Sequence, residues 1–268
     1  MNWRAIKAVI RKDLSVVLRS KAILLPLILL PVILLMIIPI VFGGIATVPF
    51  SEGDAAELES ILPPGMSEDF AGLTGGEMWM TYALVYMMAP LYLIIPLMVA
   101  SVIAADSFVG ERERKTLEAL LHTPITNWEL LVAKLLAGWL AAMAVALGGF
   151  VIYTIMANLV GYLVIGRLFF PTLMWVVIVL WVMPATAGLG LTTMVLVSIR
   201  VNTFQEAYQL GGAVVIPIIA LMIGQISGVM YFSVGLTLLL GLVLWIVDGA
   251  LLWFGVKTFR RSELIARL

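Results

Sequence analysis

GERERKTLEALLHTP, residues 110–124, is the densest run of charge in the chain: six of the eight positions 111–118 are Glu, Arg or Lys. It stands between two long apolar runs in a protein that is 63% hydrophobic and 12% charged, with a mean hydropathy of +1.13. Soluble domains carry charge at about 25% of positions. The composition is that of an integral membrane protein, and at 268 residues it is expected to form one membrane domain, 1–268. A charged run of this density has to lie outside the bilayer, and the apolar run on each side has to cross it. The stretch therefore divides the chain.

Within residues 106–124, Glu111 precedes Lys115 by four positions and Arg114 precedes Glu118 by four, pairings that support a helix. Leu117, Leu120 and Leu121 gather on one side, with Phe108 and Val109 upstream, and Pro124 ends the run. The pattern predicts a short amphipathic helix. A plain hairpin between two spans needs only a few residues. This one carries a leucine patch ringed by both signs of charge, which is the composition of a protein docking surface.

Outward from this stretch, spans are predicted at 23–45, 83–105, 130–157, 171–197, 207–227 and 233–256, each at or above the roughly 20 residues a bilayer requires. Pro26, Pro31 and Pro39 interrupt the first, so that helix is expected to be kinked or packed inside the bundle, where neighbours satisfy the freed carbonyls. Its apolar run is too long for a signal-peptide core and lacks a small-residue cleavage site, so it is expected to stay as a span. Before it, residues 1–21 place Trp3, Ile6, Ile10, Leu14, Val17 and Leu18 at helical spacing, with Arg4, Arg11, Lys12 and Arg19 on other faces. This predicts a basic amphipathic helix in the membrane interface. Residues 46–80 hold seven acids and no Lys or Arg, and read as a solvated outer loop with a turn at Pro63-Pro64-Gly65. Thr126 and Glu129 form a capping box that starts the third span. Residues 158–170 read as a short loop or helix end, and 257–268 as a basic tail.

Charge then sets the topology. Fifteen of the sixteen Lys and Arg residues fall in 1–21, 106–134, the Arg200 link and 257–268, and only Arg167 falls on the opposite side. Six spans with both termini in the cytoplasm satisfy the positive-inside rule. The charged stretch is then cytoplasmic.

The sequence also excludes chemistry. It has no cysteine, one histidine (His122) and no GxxxxGK[ST] stretch, so no catalytic group, metal site or nucleotide site is expected on this chain. Asp248 lies inside the sixth span, where an acid is by default a functional candidate such as a proton or cation relay. The alternative is a carboxylate paired with a basic residue or hydroxyl on a neighbouring helix. Gln209 and Gln225 are further polar positions on the fifth span that either line a pathway or serve packing. Gly224 and Gly228 form a GxxxG, suited to close helix contact or to a re-entrant turn. A secondary transporter driven by an ion gradient would carry several intramembrane charges and an inverted repeat, and a membrane-embedded enzyme would carry clustered catalytic groups. The sequence shows Asp248 alone and no such cluster.

Residues 110–125 resemble the coupling segment of ABC-2 type permeases, the membrane subunits of type V ABC exporters, in which E-[KR]-x-x-G-T-L-E-x-L-L-x-[ST]-P follows the second span. Glu111, Arg112, Thr116, Leu117, Glu118, Leu120, Leu121, Thr123 and Pro124 match in place, while Lys115 stands where glycine is common. RKDLSVVLRSKAILLPLILLP, residues 11–31, resembles the amphipathic connecting helix of that family running into its first span. The resemblance implies an all-α membrane protein of six transmembrane helices, with an N-terminal interfacial helix and a cytoplasmic coupling helix between spans two and three. It implies a plasma-membrane exporter that pairs with a second permease, identical or different, and with two copies of an ABC ATPase subunit. No cofactor is expected on this chain; ATP and Mg would bind the partner ATPase, and no nucleic acid is involved. Glu111, Arg112 and Arg114 would make charged contacts with the ATPase. Leu117, Leu120 and Leu121 would form the packed patch, flanked by Thr116 and by Glu118, which can also pair back to Arg114. The family's cargoes are diverse, and an amphipathic lipid, drug or peptide suits the apolar bundle.

Overall fold

The computed structural model describes residues 2–48, 70, 72–114, 125–227 and 229–258. Most of the 46–80 loop, the basic tail and residues 115–124 lie outside these. So do Thr116, Leu117, Glu118, Leu120 and Leu121. Among the described residues the chain is helical and contains no strand. Seven helices follow in order: α1 (Trp3–Arg19), α2 (Lys21–Ala46), α3 (Gly75–Glu113), α4 (Asn127–Ile165), α5 (Leu173–Ser198), α6 (Phe204–Ile226) and α7 (Val234–Thr258). The last six are long and apolar enough to cross a membrane.

Two of them form the centre. Of the most apolar part of each helix, 67% is buried in α3 and 56% in α5, against 12% in α2. The α3–α5 contact is close because α5 is lined with small residues: Ala185 and Ala187 are fully buried, and a Cβ at Gly190 would sit 2.6 Å from the Leu97 carbonyl oxygen. Only glycine fits there. By contrast α2, despite its three prolines, lies at the edge of the bundle, packed chiefly on α4. It turns Leu25, Leu29, Ile33 and Ile37 outward.

Several helix bounds differ from those drawn on hydropathy. The second span starts at Gly75 rather than 83, at a capping box made by Thr74 and Glu77, and runs unbroken through 106–113 into the charged stretch. The third runs past 157 to Ile165 and ends at Gly166, whose φ of 77° is the left-handed conformation of a helix C-cap. Asn158 holds the following turn against it: its Oδ1 accepts from the Phe169 and Phe170 amides, and its Nδ2 donates to the Phe170 carbonyl. Hydropathy windows miss such ends because polar caps and side-chain clamps, not apolar content, extend the helices.

The central helix α3 departs from α-geometry twice, in π-helical turns at Tyr82–Met87 and Asp106–Gly110. A π-turn shifts the backbone register and leaves carbonyls to be satisfied from outside the helix. At the first, Pro90 also brings no N–H. Tyr153 Oη donates to the Leu84 carbonyl at 2.6 Å and Trp175 Nε1 to the Val85 carbonyl at 2.7 Å. These two rings, with Tyr92, Phe150 and Phe170, make a tightly packed aromatic cluster joining α3, α4 and α5.

Candidate functional site

The second π-turn sits at the charged end of α3, and its surroundings are ionic. Lys134 lies two turns into α4, which is started by the predicted capping box: Thr126 Oγ1 accepts from the Glu129 amide, and Glu129 Oε2 accepts from the Thr126 amide at 3.0 Å. The Lys134 side chain is fully buried. Its ammonium has three N–H groups and meets three acceptors: the Ser107 carbonyl at 2.7 Å, Ser107 Oγ at 2.9 Å and Glu111 Oε2 at 2.7 Å. It also stands 5.5 Å from the centre of the Phe108 ring.

The other side of this group comes from α1. Lys12 is paired with Glu111 Oε1 and lies 3.1 Å from Asp13 Oδ1. Ser107 Oγ donates to Asp13 Oδ2 at 3.2 Å, and Lys134 Nζ lies 3.9 Å from the same oxygen. Among the described residues, two ammonium groups and two carboxylates thus form one charge-balanced cluster in which Lys12 reaches solvent. Balance is what makes burial tolerable, since an uncompensated charge here would bear its full desolvation cost. Burial pulls the Lys12 ammonium down, but its bond to Glu111 and the Asp13 charge outweigh this and leave it above its ordinary value. A raised lysine contributes fully below its unfolded value, about 10.4. That contribution is lost only as pH climbs past the raised value.

The four charges Glu111, Arg112, Glu113 and Arg114 each have a different address. Glu111 joins α3 to α1 and α4. Arg112 donates Nη1 to the Ser198 carbonyl at 3.2 Å and Nη2 to the Val201 carbonyl, at the C-terminal end of α5. Glu113 Oε2 accepts from the Phe204 amide at 3.0 Å, at the start of α6. Arg114, half exposed, turns back to Asp106 at 2.9 Å. The base of α3 is therefore a junction that fastens α1, α4, α5 and α6 together.

Of the eight residues expected to dock a partner, Glu111, Arg112 and Arg114 are the ones described, and their side chains make these bonds within the chain. Lys12, Asp13, Ser107 and Lys134 were not among the expected site residues. A signal for one was present: Asp13 falls on the same face of α1 as Ile6, Val9 and Val17, and all four are buried. An acid on an apolar stripe calls for a buried cation. The stripe itself packs against α4 rather than pointing wholly outward, while Trp3 and Leu18 remain exposed.

The other polar candidates are scattered. Asp248 is buried on α7 against Gly188 and Thr192 of α5, with Thr192 Oγ1 3.5 Å from its Oδ1. Gln225 is buried near the far end of α6, where its main-chain carbonyl accepts from Tyr82 Oη at 3.3 Å. Gln209 is exposed at a 250 Å³ cavity between α3, α5 and α6 that also includes Ser101, Met194 and Tyr208. The structure brings none of these three together.

Comparison with curated proteins finds no match. A family model described as ABC-2 family transporter protein matches residues 7–241, from the first turns of α1 into α7 and across the whole charged junction. The family match and the six apolar helices agree: the chain belongs to the ABC-2 family of transporter proteins, as the multi-pass membrane permease of an ABC-type transporter.

Proposed function

We propose that the chain is one permease of a plasma-membrane exporter that works as a pair of permeases, identical or different, with two ATPase subunits on the cytoplasmic face. Both termini then lie in the cytoplasm and the acidic loop outside, the arrangement the basic residues favour. ATP and Mg bind the ATPases. Residues 114–124 dock them, with Leu117, Leu120 and Leu121 as the apolar patch, Thr116 and Glu118 at its edge, and the half-exposed Arg114 as a charged contact.

The observation that carries this proposal is the junction at the base of α3. A docking segment attached immediately after Glu113 pulls on α1, α4, α5 and α6 at once, because Glu111, Arg112 and Glu113 are bonded to them. Closure of the ATPases is thereby delivered to a stiff bundle and shifts its balance between inward- and outward-facing packings. Glu111 and Arg112 transmit the force, and the leucines receive it. The cargo class is amphipathic: lipid, drug or peptide-like.

The test separates receiving from transmitting. The transporter is purified with its ATPase, and ATP turnover and transport are measured in proteoliposomes. Leu117→Ala with Leu120→Ala is expected to lose the ATPase on purification while the permease keeps its unfolding temperature. Lys134→Met is expected to retain the ATPase but lose transport. If the leucine pair still binds the ATPase and supports full transport, the docking assignment fails.

A further inference from the structure

An apolar crevice of 440 Å³ lies where α1, α2, α3 and α4 meet. Leu14, Val17 and Leu18 of α1 close one end, and its α4 wall runs from Leu140 to Ile152, about 18 Å of helix at 1.5 Å per residue. Among the described residues no charged side chain lines it. Leu18, Ile28 and Leu140 are exposed along its rim, so the crevice opens sideways, toward the hydrocarbon of the bilayer.

Charge begins just beyond the crevice. Lys7, Arg11, Leu14 and Leu18 follow at i, i+4, i+7 and i+11 and share one face of α1. Lys7 and Arg11 are exposed, unlike the neighbouring Lys12, which is bonded to Glu111. Along this face the helix changes from basic to apolar as it reaches the crevice. Trp3, exposed on the same side, is a residue type favoured at the membrane–water boundary. A cationic stripe leading into an apolar slot matches the polarity of a phospholipid, headgroup first and chain after.

We propose that this crevice binds an acyl chain of an anionic phospholipid from the leaflet at the charged end, with Lys7 and Arg11 on its headgroup phosphate. The volume falls within the range of small-molecule sites, roughly 300–1,000 Å³. Basic pockets between helices at a membrane face select anionic over zwitterionic headgroups. Gly148 of α4 marks the space the chain fills: it lines the crevice, and a Cβ built there meets nothing within 4 Å.

Native mass spectrometry of the full-length chain tests it, with dioleoyl phosphatidylglycerol and dioleoyl phosphatidylcholine added separately. The wild type is expected to retain phosphatidylglycerol at least tenfold better than phosphatidylcholine, as two basic side chains at a headgroup imply. Lys7→Gln with Arg11→Gln is expected to remove that preference. Gly148→Leu is expected to lower retention of both lipids about tenfold, with its unfolding temperature as the control for folding. Ala144→Leu, on the same wall one turn away, serves if Gly148→Leu does not fold. Equal retention of the two lipids by the wild type overturns the proposal, as does undiminished retention by the cavity-filling variant. A second copy seated in the crevice would also overturn it, and would appear as a cross-linked dimer of Gly148→Cys in this cysteine-free chain.

Discussion

The two π-turns of α3 pose the same problem at opposite ends of one helix and receive different answers. At Tyr82–Met87 the carbonyls of Leu84 and Val85 are met by a phenol and an indole, neutral donors carried on large apolar rings. At Asp106–Gly110 the Ser107 carbonyl is met by an ammonium that must itself be neutralised, by Glu111 and Asp13. The first solution suits hydrocarbon, where a hydrogen bond can be formed without importing charge. The second suits the edge of the membrane, where charge is tolerable if balanced. The contrast also divides labour. The aromatic end fixes three helices by packing, and the ionic end collects four helices at the base of α3.

The largest effect should come from unbalancing the ionic end. Lys134→Met removes one of the two ammonium groups that face Glu111 and Asp13, and should cost about 3–5 kcal/mol of stability, the range for breaking a buried pair. Denaturant or thermal unfolding in detergent measures it. Adding Glu111→Gln to Lys134→Met restores balance, and the double variant should be more stable than Lys134→Met. A simple sum of two losses would show that charge balance is not what holds the cluster together.

Next in size is the helix contact between the two turns. Gly190→Val places a side chain against the Leu97 carbonyl oxygen and should cost about 1–3 kcal/mol as overpacking. An unchanged unfolding temperature would mean α3 and α5 are not held as closely as described. At the aromatic end, Tyr153→Phe removes one donor and keeps the ring, so the loss should be about 1–2 kcal/mol. Equal losses for Tyr153→Phe and Lys134→Met would erase the distinction between the two ends. The smallest change is expected at Arg114→Gln, whose partner bond is half solvated: below about 1 kcal/mol in stability. If Arg114 meets the ATPase, its removal should lower ATPase affinity more than it lowers stability.

The ion cluster was hard to read in advance because its members are spread over residues 12 to 134 and each has an ordinary local explanation. Lys12 belongs to a basic amphipathic helix, Lys134 to the polar end of a span, and Glu111 to a helix-stabilising pair with Lys115. Asp13 alone was anomalous, an acid on an apolar face. The π-turns were equally hidden, since no periodicity in an almost uniformly apolar helix distinguishes a register of four from one of five. The capping box at Thr126 and Glu129 was legible because its geometry is local: two side chains and two amides three residues apart.

The sequence by itself determined the membrane class, the six spans and the segregation of basic residues to one side. The first two follow from transfer of residues between water and hydrocarbon, a property summed along the chain, and the third from the bias of Lys and Arg in the loops. The tertiary structure decided that α3 and α5 are central while the proline-bearing α2 is peripheral. It also decided that Glu111 and Arg112 turn inward to other helices, and that Lys7 and Arg11 lead into an apolar crevice. Those outcomes depend on which surfaces fit and which charges can be neutralised together, and such pairings exist only once distant segments meet.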